Sequence, residues 1–139
     1  MRYFIDTNIF LRVLTKDNIR QFNSCFNFIQ AVKENNIKAY TSTVVLTEVV
    51  FTLQSFYYFE KQEVMRALKS IINLKGLQIK DKHDHLRAVE LYKKYSIKYI
   101  DALIASEDEI FDKKIIVVSY DRDFDKIPVL RKEPQELTK

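Results

Sequence analysis

Glycine is nearly absent: one residue, Gly76, in a chain of 139. A loop that cradles phosphate with its backbone N–H groups needs several glycines in a short run, so nucleotide-binding loops of that kind are excluded. With only two prolines, long flexible linkers are excluded as well. The one cysteine, Cys25, has no partner for an internal disulfide. It fits a reducing compartment and reads as a small apolar core residue. No run of about 18 apolar residues occurs, so no segment is expected to span a membrane. The apolar stretch Tyr3-Phe4-Ile5 is interrupted at once by Asp6, which does not suit a signal peptide. A cytoplasmic protein is the expectation.

Histidine is equally scarce. His83 and His85 are two positions apart, so on a helix they would not face one another. They are expected to be solvated rather than to hold a metal.

What remains is enough for one domain over residues 1–139. Hydrophobic residues make up 47% of the chain, sufficient for one sizeable core. The net charge of +4 is compatible with a polyanionic partner.

Strand and helix patterns alternate from end to end. Tyr3-Phe4-Ile5 reads as a buried strand. Asn8 to Leu14 looks like a helix start. Asn18 to Glu34 is helical, with Phe22, Cys25, Phe26, Ile29 and Val32 at three- and four-residue spacing. Asn35-Asn36 ends it, since asparagine tolerates the left-handed conformation of a helix stop. Ile37 to Thr41 is a second strand, and Ser42 or Thr43 caps a helix from Val44 to about Tyr58. Lys61 to Asn73 is helical, Gly76 turns the chain, and Leu77-Gln78-Ile79 is a short strand. Asp81 or Asp84 opens a helix to about Tyr95, and Tyr99 to Asp112 is expected as one further helix. Ile115-Ile116-Val117-Val118 is β-branched and apolar on both faces, as in the middle of a parallel sheet. A last short strand over Val129 to Arg131 precedes Pro134 and a polar tail. The alternation predicts an α/β fold, a parallel sheet with helices on both faces. In such folds the site lies outside the carboxyl ends of the strands.

Acids stand at that rim. The first strand runs into Asp6, and Val117-Val118 runs into Ser119-Tyr120-Asp121-Arg122-Asp123. Glu48 and Asp101 sit inside otherwise apolar helical runs, where acids are rare unless paired. Taken singly, Asp6 or Asp101 could be a helix cap, and Glu48 a solvent-facing residue. If the acids converge, two like charges at 4 Å repel by about 4 kcal/mol at an effective dielectric of about 20. A divalent cation removes that conflict, and an all-oxygen donor set favours Mg²⁺ or Mn²⁺ over zinc.

The same residues carry a family resemblance. Phe4-Ile5-Asp6-Thr7-Asn8-Ile9-Phe10-Leu11 resembles the opening of a PIN domain. Thr47-Glu48-Val49 is similar to its second acidic motif, Tyr99-Ile100-Asp101-Ala102-Leu103-Ile104-Ala105 to its third, and Ser119-Tyr120-Asp121-Arg122-Asp123-Phe124 to its fourth. The resemblance covers nearly the whole chain, in order, at the length of VapC-type toxins. It implies a three-layer α/β/α sandwich with a central, mostly parallel sheet of four to five strands. It also implies a Mg²⁺- or Mn²⁺-dependent endoribonuclease that hydrolyses RNA phosphodiester bonds with a metal-activated water. Such a protein is the toxin of a toxin–antitoxin pair, restrained by a cognate antitoxin and expected as a homodimer.

Residue by residue, the resemblance makes Asp6 and Asp101 principal metal ligands. Glu48 holds the metal directly or through water. Asp121 and Asp123 both fit the fourth motif, and both are given a catalytic and metal-binding role, whereas Asp125 reads as a surface residue. Thr7, Asn8 and Ser119 are expected to orient the acids by hydrogen bonds. Arg12, Lys16, Lys98 and Arg122 are candidate contacts to RNA phosphates, with ordinary solvated helix faces as the plainer reading of each. Phe56-Tyr57-Tyr58-Phe59 and the series Tyr92, Tyr95, Tyr99 read as core or interface rather than base-stacking platforms.

Other readings fit less well. Asp121, Asp123 and Asp125 imitate the start of an EF-hand loop, but Lys126 and Lys132 stand where glycine and glutamate are needed. A rival of another class is a non-catalytic PIN-like module that binds RNA or protein. The presence of all four acidic motifs argues against it.

Overall fold

The computed structural model describes residues 1–138. Five strands, β1 (Arg2–Ile5), β2 (Lys38–Thr41), β3 (Leu77–Ile79), β4 (Ile115–Val118) and β5 (Arg131–Lys132), form one sheet in the order β3-β2-β1-β4-β5. Every neighbouring pair is parallel. Seven α-helices connect and cover them: α1 (Thr7–Thr15), α2 (Ile19–Lys33), α3 (Thr43–Ser55), α4 (Lys61–Ile72), α5 (His85–Lys94), α6 (Tyr99–Ala105) and α7 (Asp108–Phe111). The result is an α/β/α sandwich, as the alternation predicts.

The strand order fixes where a site can form. From β1 the chain builds outward through β2 and β3, then crosses back to lay β4 and β5 on the other side. Between β1 and β4 the connections leave toward opposite sides of the sheet, which opens a crevice at the carboxyl ends of those strands. The register sharpens this point: Ile5 pairs with Val118, so Asp6 and Ser119 leave the sheet side by side. Both strands are held by burial. Phe4, Ile5, Val117 and Val118 are wholly enclosed, and Phe4 meets Tyr40 of β2 edge to face, with ring centroids 5.2 Å apart.

The helices follow their apolar stripes, with one shift. In α2 the buried face is Cys25, Phe28, Ile29 and Val32. Phe26, expected in that face, is instead half exposed and stacks on Phe22 at 5.8 Å. Gly76 is the one position that needs glycine. Its φ is +86°, and a Cβ there would lie 2.4 Å from the Val32 carbonyl oxygen. Asn35 ends α2 with φ +61°, as its side-chain type allows.

Two boundaries differ from expectation for local reasons, and the start of α5 falls to one of its two candidate caps. The helix predicted over Tyr99–Asp112 is broken into α6 and α7. At the break the Ser106 hydroxyl donates to the Leu103 carbonyl at 2.6 Å, competing with the helical ladder. Asp84 caps α5 by accepting from the Arg87 N–H, whereas Asp81 accepts from both the N–H and the hydroxyl of Thr43 and so caps α3 from a distant segment. The final strand is Arg131–Lys132 rather than Val129–Arg131. It is held by the Arg131 guanidinium, which bonds Asp125, Glu133 and the Ser119 carbonyl. Among the described residues no helix is long and apolar enough to cross a membrane.

Candidate metal centre

Asp6 is the best-anchored acid of the rim. It is buried at the end of β1 and serves as the N-cap of α1. Its Oδ1 accepts from the Thr7 N–H at 2.8 Å, and its Oδ2 accepts from the Ser119 hydroxyl at 2.6 Å and the Asn8 amide at 3.2 Å. Asn8 in turn donates to Ser119 Oγ and accepts from the Tyr120 N–H. Ser119 Oγ also accepts from the Asp121 N–H at 2.9 Å. One hydroxyl therefore ties the first acidic motif to the fourth. Asn8 and Ser119 both donate to Asp6 through their side chains. Thr7 acts through its backbone, and its buried Oγ1 has no hydrogen-bond partner among the described residues.

The other acids gather opposite. Asp101, in the first turn of α6, is 1% exposed. Asp101, Asp121 and Asp123 each offer an oxygen within 4.8 Å of the others. Asp121 begins the 3-10 turn Arg122–Lys126 and accepts from the Asp123 N–H at 2.9 Å, which explains why alternate residues of that segment both reach the site. Glu48 on α3 is half-buried and lies in the electrostatic field of Asp6. It is not part of the tight trio, nor is Asp6.

Burial and mutual repulsion show in the protonation of these groups. Burial, with Glu48 adding to it, pushes the Asp6 carboxyl up to about 6 against the donors Ser119 and Thr7. Burial and then Asp6 push Asp101 up to about 8. At Asp121 burial also raises the carboxyl, but the Asp123 N–H and Lys98 outweigh it and hold the group below its ordinary value. Lys98 is lowered by partial burial and raised more by Asp101 and Asp121.

A hard divalent cation suits this donor set. The trio is all carboxylate oxygen. Asp101 Oδ2 is buried and accepts no hydrogen bond among the described residues, which leaves it open to an external partner such as a cation. Asp101, Asp121 and Asp123 could hold the ion directly, with Asp6 and Glu48 adjoining.

The predicted basic residues fall into different settings. Lys98 pairs with Asp121 at 3.2 Å. Arg122 is exposed and, with Arg20, Ser24, Tyr120 and Gln135, lines a cleft of about 610 Å³. Arg12 is committed to Asp17 at 3.2 Å, and the Lys16 ammonium sits over the Phe22 ring at 5.1 Å. Asp125 pairs with Arg131 at the surface. Lys126, which with Arg122 flanks the last acids in the sequence as a candidate phosphate contact, pairs with Asp123 at 3.0 Å and donates to the Ser96 carbonyl.

Two expectations need correction or completion. His83 is not solvated: its ring is 9% exposed, with Nδ1 3.0 Å from the Leu103 carbonyl and 3.4 Å from Glu107. His85 is exposed, as expected. Glu107, which sequence reasoning missed, is 1% exposed and accepts from the Tyr40 hydroxyl at 2.7 Å. Burial pushes its carboxyl up to about 7, against Tyr40 and Lys82. Its signal was weak, because Ser106-Glu107-Asp108-Glu109 reads as an ordinary polar helix end. Cys25 is buried, and burial pushes its thiol up to about 11, consistent with an inert core residue.

No curated protein matches the chain at a significant level. Among solved structures, a chain of VapBC2 from Rickettsia felis, determined bound to a DNA fragment from their promoter, aligns with a TM-score of 0.69 at 22% identity. The alignment covers 96% of this chain and 98% of that one. PAE2754 from Pyrobaculum aerophilum aligns with a TM-score of 0.68 at 12% identity, covering 99% and 92%. These likenesses establish the fold. Residues 3–130 match the PIN domain family, and the chain belongs to that family.

Proposed function

We propose that this protein is a metal-dependent endoribonuclease, a single PIN domain over residues 1–139 that acts as the toxin of a toxin–antitoxin pair in the cytoplasm. Mg²⁺ or Mn²⁺ is its cofactor, held by Asp6, Glu48, Asp101, Asp121 and Asp123. Its partners are an RNA substrate, a cognate antitoxin and a second copy of itself. Membership of a family whose members are generally nucleases supports hydrolysis, and the likeness to VapBC2 supports the antitoxin.

The observation that carries the reading is the buried, unpartnered Asp101 Oδ2 beside the oxygens of Asp121 and Asp123. A divalent ion held by these acids would supply a more acidic water and a counter-charge for the phosphate oxygens. The chain's own residues do the rest. Ser119, Asn8 and the Thr7 N–H hold Asp6 at a fixed angle. The Asp123 N–H holds Asp121. Neither Ser119 nor Cys25 is placed as a nucleophile: the Ser119 hydroxyl is spent on Asp6, and Cys25 is buried.

The test is Mg²⁺-dependent cleavage of mixed single-stranded RNA by purified protein. Asp6→Asn and Asp101→Asn are expected to abolish cleavage while the far-ultraviolet circular dichroism is unchanged. Equal cleavage by the wild type and both variants would trace the activity to a contaminant and remove the nuclease reading.

A further inference from the structure

Asp121 has two oxygens, and each is engaged. Oδ1 accepts from the Asp123 N–H at 2.9 Å, the bond that shapes the 3-10 turn. Oδ2 is held by the Lys98 ammonium at 3.2 Å. A metal ion that recruits Asp121 alongside Asp101 therefore meets a resident cation. Lys98 is also near enough to influence Asp6 and Asp101, so it serves the whole acidic group as a counter-ion.

Two lysines approach the trio, and they differ in tether. Lys126 pairs with Asp123 and is pinned by the Ser96 carbonyl at 3.2 Å. Lys98 has only Asp121 as a partner among the described residues, and its side chain is 58% exposed. An ammonium on a flexible four-carbon stem with one exposed ion pair is easily displaced.

We infer that Lys98 and the divalent cation compete for Asp121, and that the cation's arrival releases the Lys98 ammonium to bind a phosphate of the RNA. The inference rests on the metal-dependent nuclease reading above and adds a coupling to it. Lys98 stands at the N-cap position of α6, three residues before Asp101, so a released ammonium remains at the rim of the acidic group. The exchange makes metal and RNA binding mutually reinforcing, since each ligand favours the arrangement in which Lys98 has left Asp121. Lys98 is thus a positioning and binding residue whose task changes with the metal.

The experiment uses the full chain, with Lys98→Met and Lys98→Arg, all checked by thermal melting. Mn²⁺ binding is measured by calorimetry. Binding of a cleavage-resistant phosphorothioate single-stranded RNA is measured by fluorescence anisotropy in EDTA and in Mn²⁺. Removing one exposed competing pair is expected to tighten Mn²⁺ binding about two- to fivefold in Lys98→Met. Lys98→Arg, whose fork grips a carboxylate more firmly, is expected to weaken it. Wild type and Lys98→Met should bind the RNA equally in EDTA. In Mn²⁺ the wild type should bind more tightly, with a log–log salt slope steeper by about 0.7. Unchanged or weaker Mn²⁺ binding by Lys98→Met overturns the exchange, as does an RNA deficit of equal size in EDTA and in Mn²⁺. Absence of Mn²⁺ binding by the wild type overturns the metal reading and the exchange together.

Discussion

The Ser119 hydroxyl donates to Asp6 Oδ2 over 2.6 Å, joining the ends of two adjacent parallel strands across 113 positions of sequence. The bond exists because Ile5 and Val118 are in register. Ser119→Ala removes the donor that fixes the carboxylate and leaves the Asn8 amide as its remaining side-chain donor. Loss of a residue that orients a metal ligand typically lowers affinity by about 10–100-fold. Calorimetric titration with Mn²⁺ should show a loss in that range, with the circular dichroism spectrum preserved.

Metal binding should strengthen as pH rises. Without a cation, the Asp6 and Asp101 carboxyls are pushed up to about 6 and about 8. Protons therefore compete with the ion in the neutral range. Mn²⁺ affinity should climb from pH 6 toward 8, by up to about tenfold per unit for each carboxyl still protonated, and level off above. A flat profile across that window would contradict the assigned burial of Asp101.

Glu107 makes an opposite kind of prediction, about stability away from the metal. Its carboxyl titrates at about 7 in the fold against an ordinary value of 4.5, chiefly through burial. Because the folded value is the higher, the stabilising contribution is complete below pH 4.5. It is lost as pH rises through about 7. Glu107→Gln retains an acceptor for the Tyr40 hydroxyl and removes the buried charge. The difference between variant and wild type in urea unfolding should grow from near zero at pH 4.5 to on the order of 3 kcal/mol at pH 8, in favour of the variant. His83 and Tyr40 touch Glu107 directly, so the difference reports the Glu107 ionisation together with its coupling to them.

Gly76→Ala tests the one backbone position that demands glycine. A methyl group 2.4 Å from the Val32 carbonyl oxygen, at φ +86°, forces either the turn or the end of α2 to move. Urea unfolding should show a loss of about 1–3 kcal/mol, with Mn²⁺ affinity unaltered because the turn lies away from the acids.

Much of this arrangement was legible in the residues. Asp6 and Asp101 stood out because an acid inside an apolar run demands an explanation, and the alternation of strands and helices fixed which rim they occupy. Asp121 and Asp123 were both in view, and the 3-10 turn that brings both beside Asp101 follows from the Asp121 cap. What was hidden depends on partners distant in sequence. Glu107 sits in a polar-looking stretch, and its buried carboxylate meets Tyr40 from 67 positions away. His83 looked like surface until the Leu103 carbonyl and Glu107 enclosed it. The pairing of Lys98 with Asp121 follows from the crossing of α6 and the last turn, which no local spacing encodes.

The most direct test of the central claim is the melting temperature of the wild type and Asp101→Asn, each in EDTA and in Mn²⁺. Asparagine removes a carboxyl that burial and its acidic neighbours disfavour as an anion, so the variant should melt higher than the wild type in EDTA at pH 8. Mn²⁺ should raise the wild type's melting temperature and leave that of the variant nearly unmoved. An equal rise in both proteins would show that these acids do not share an ion.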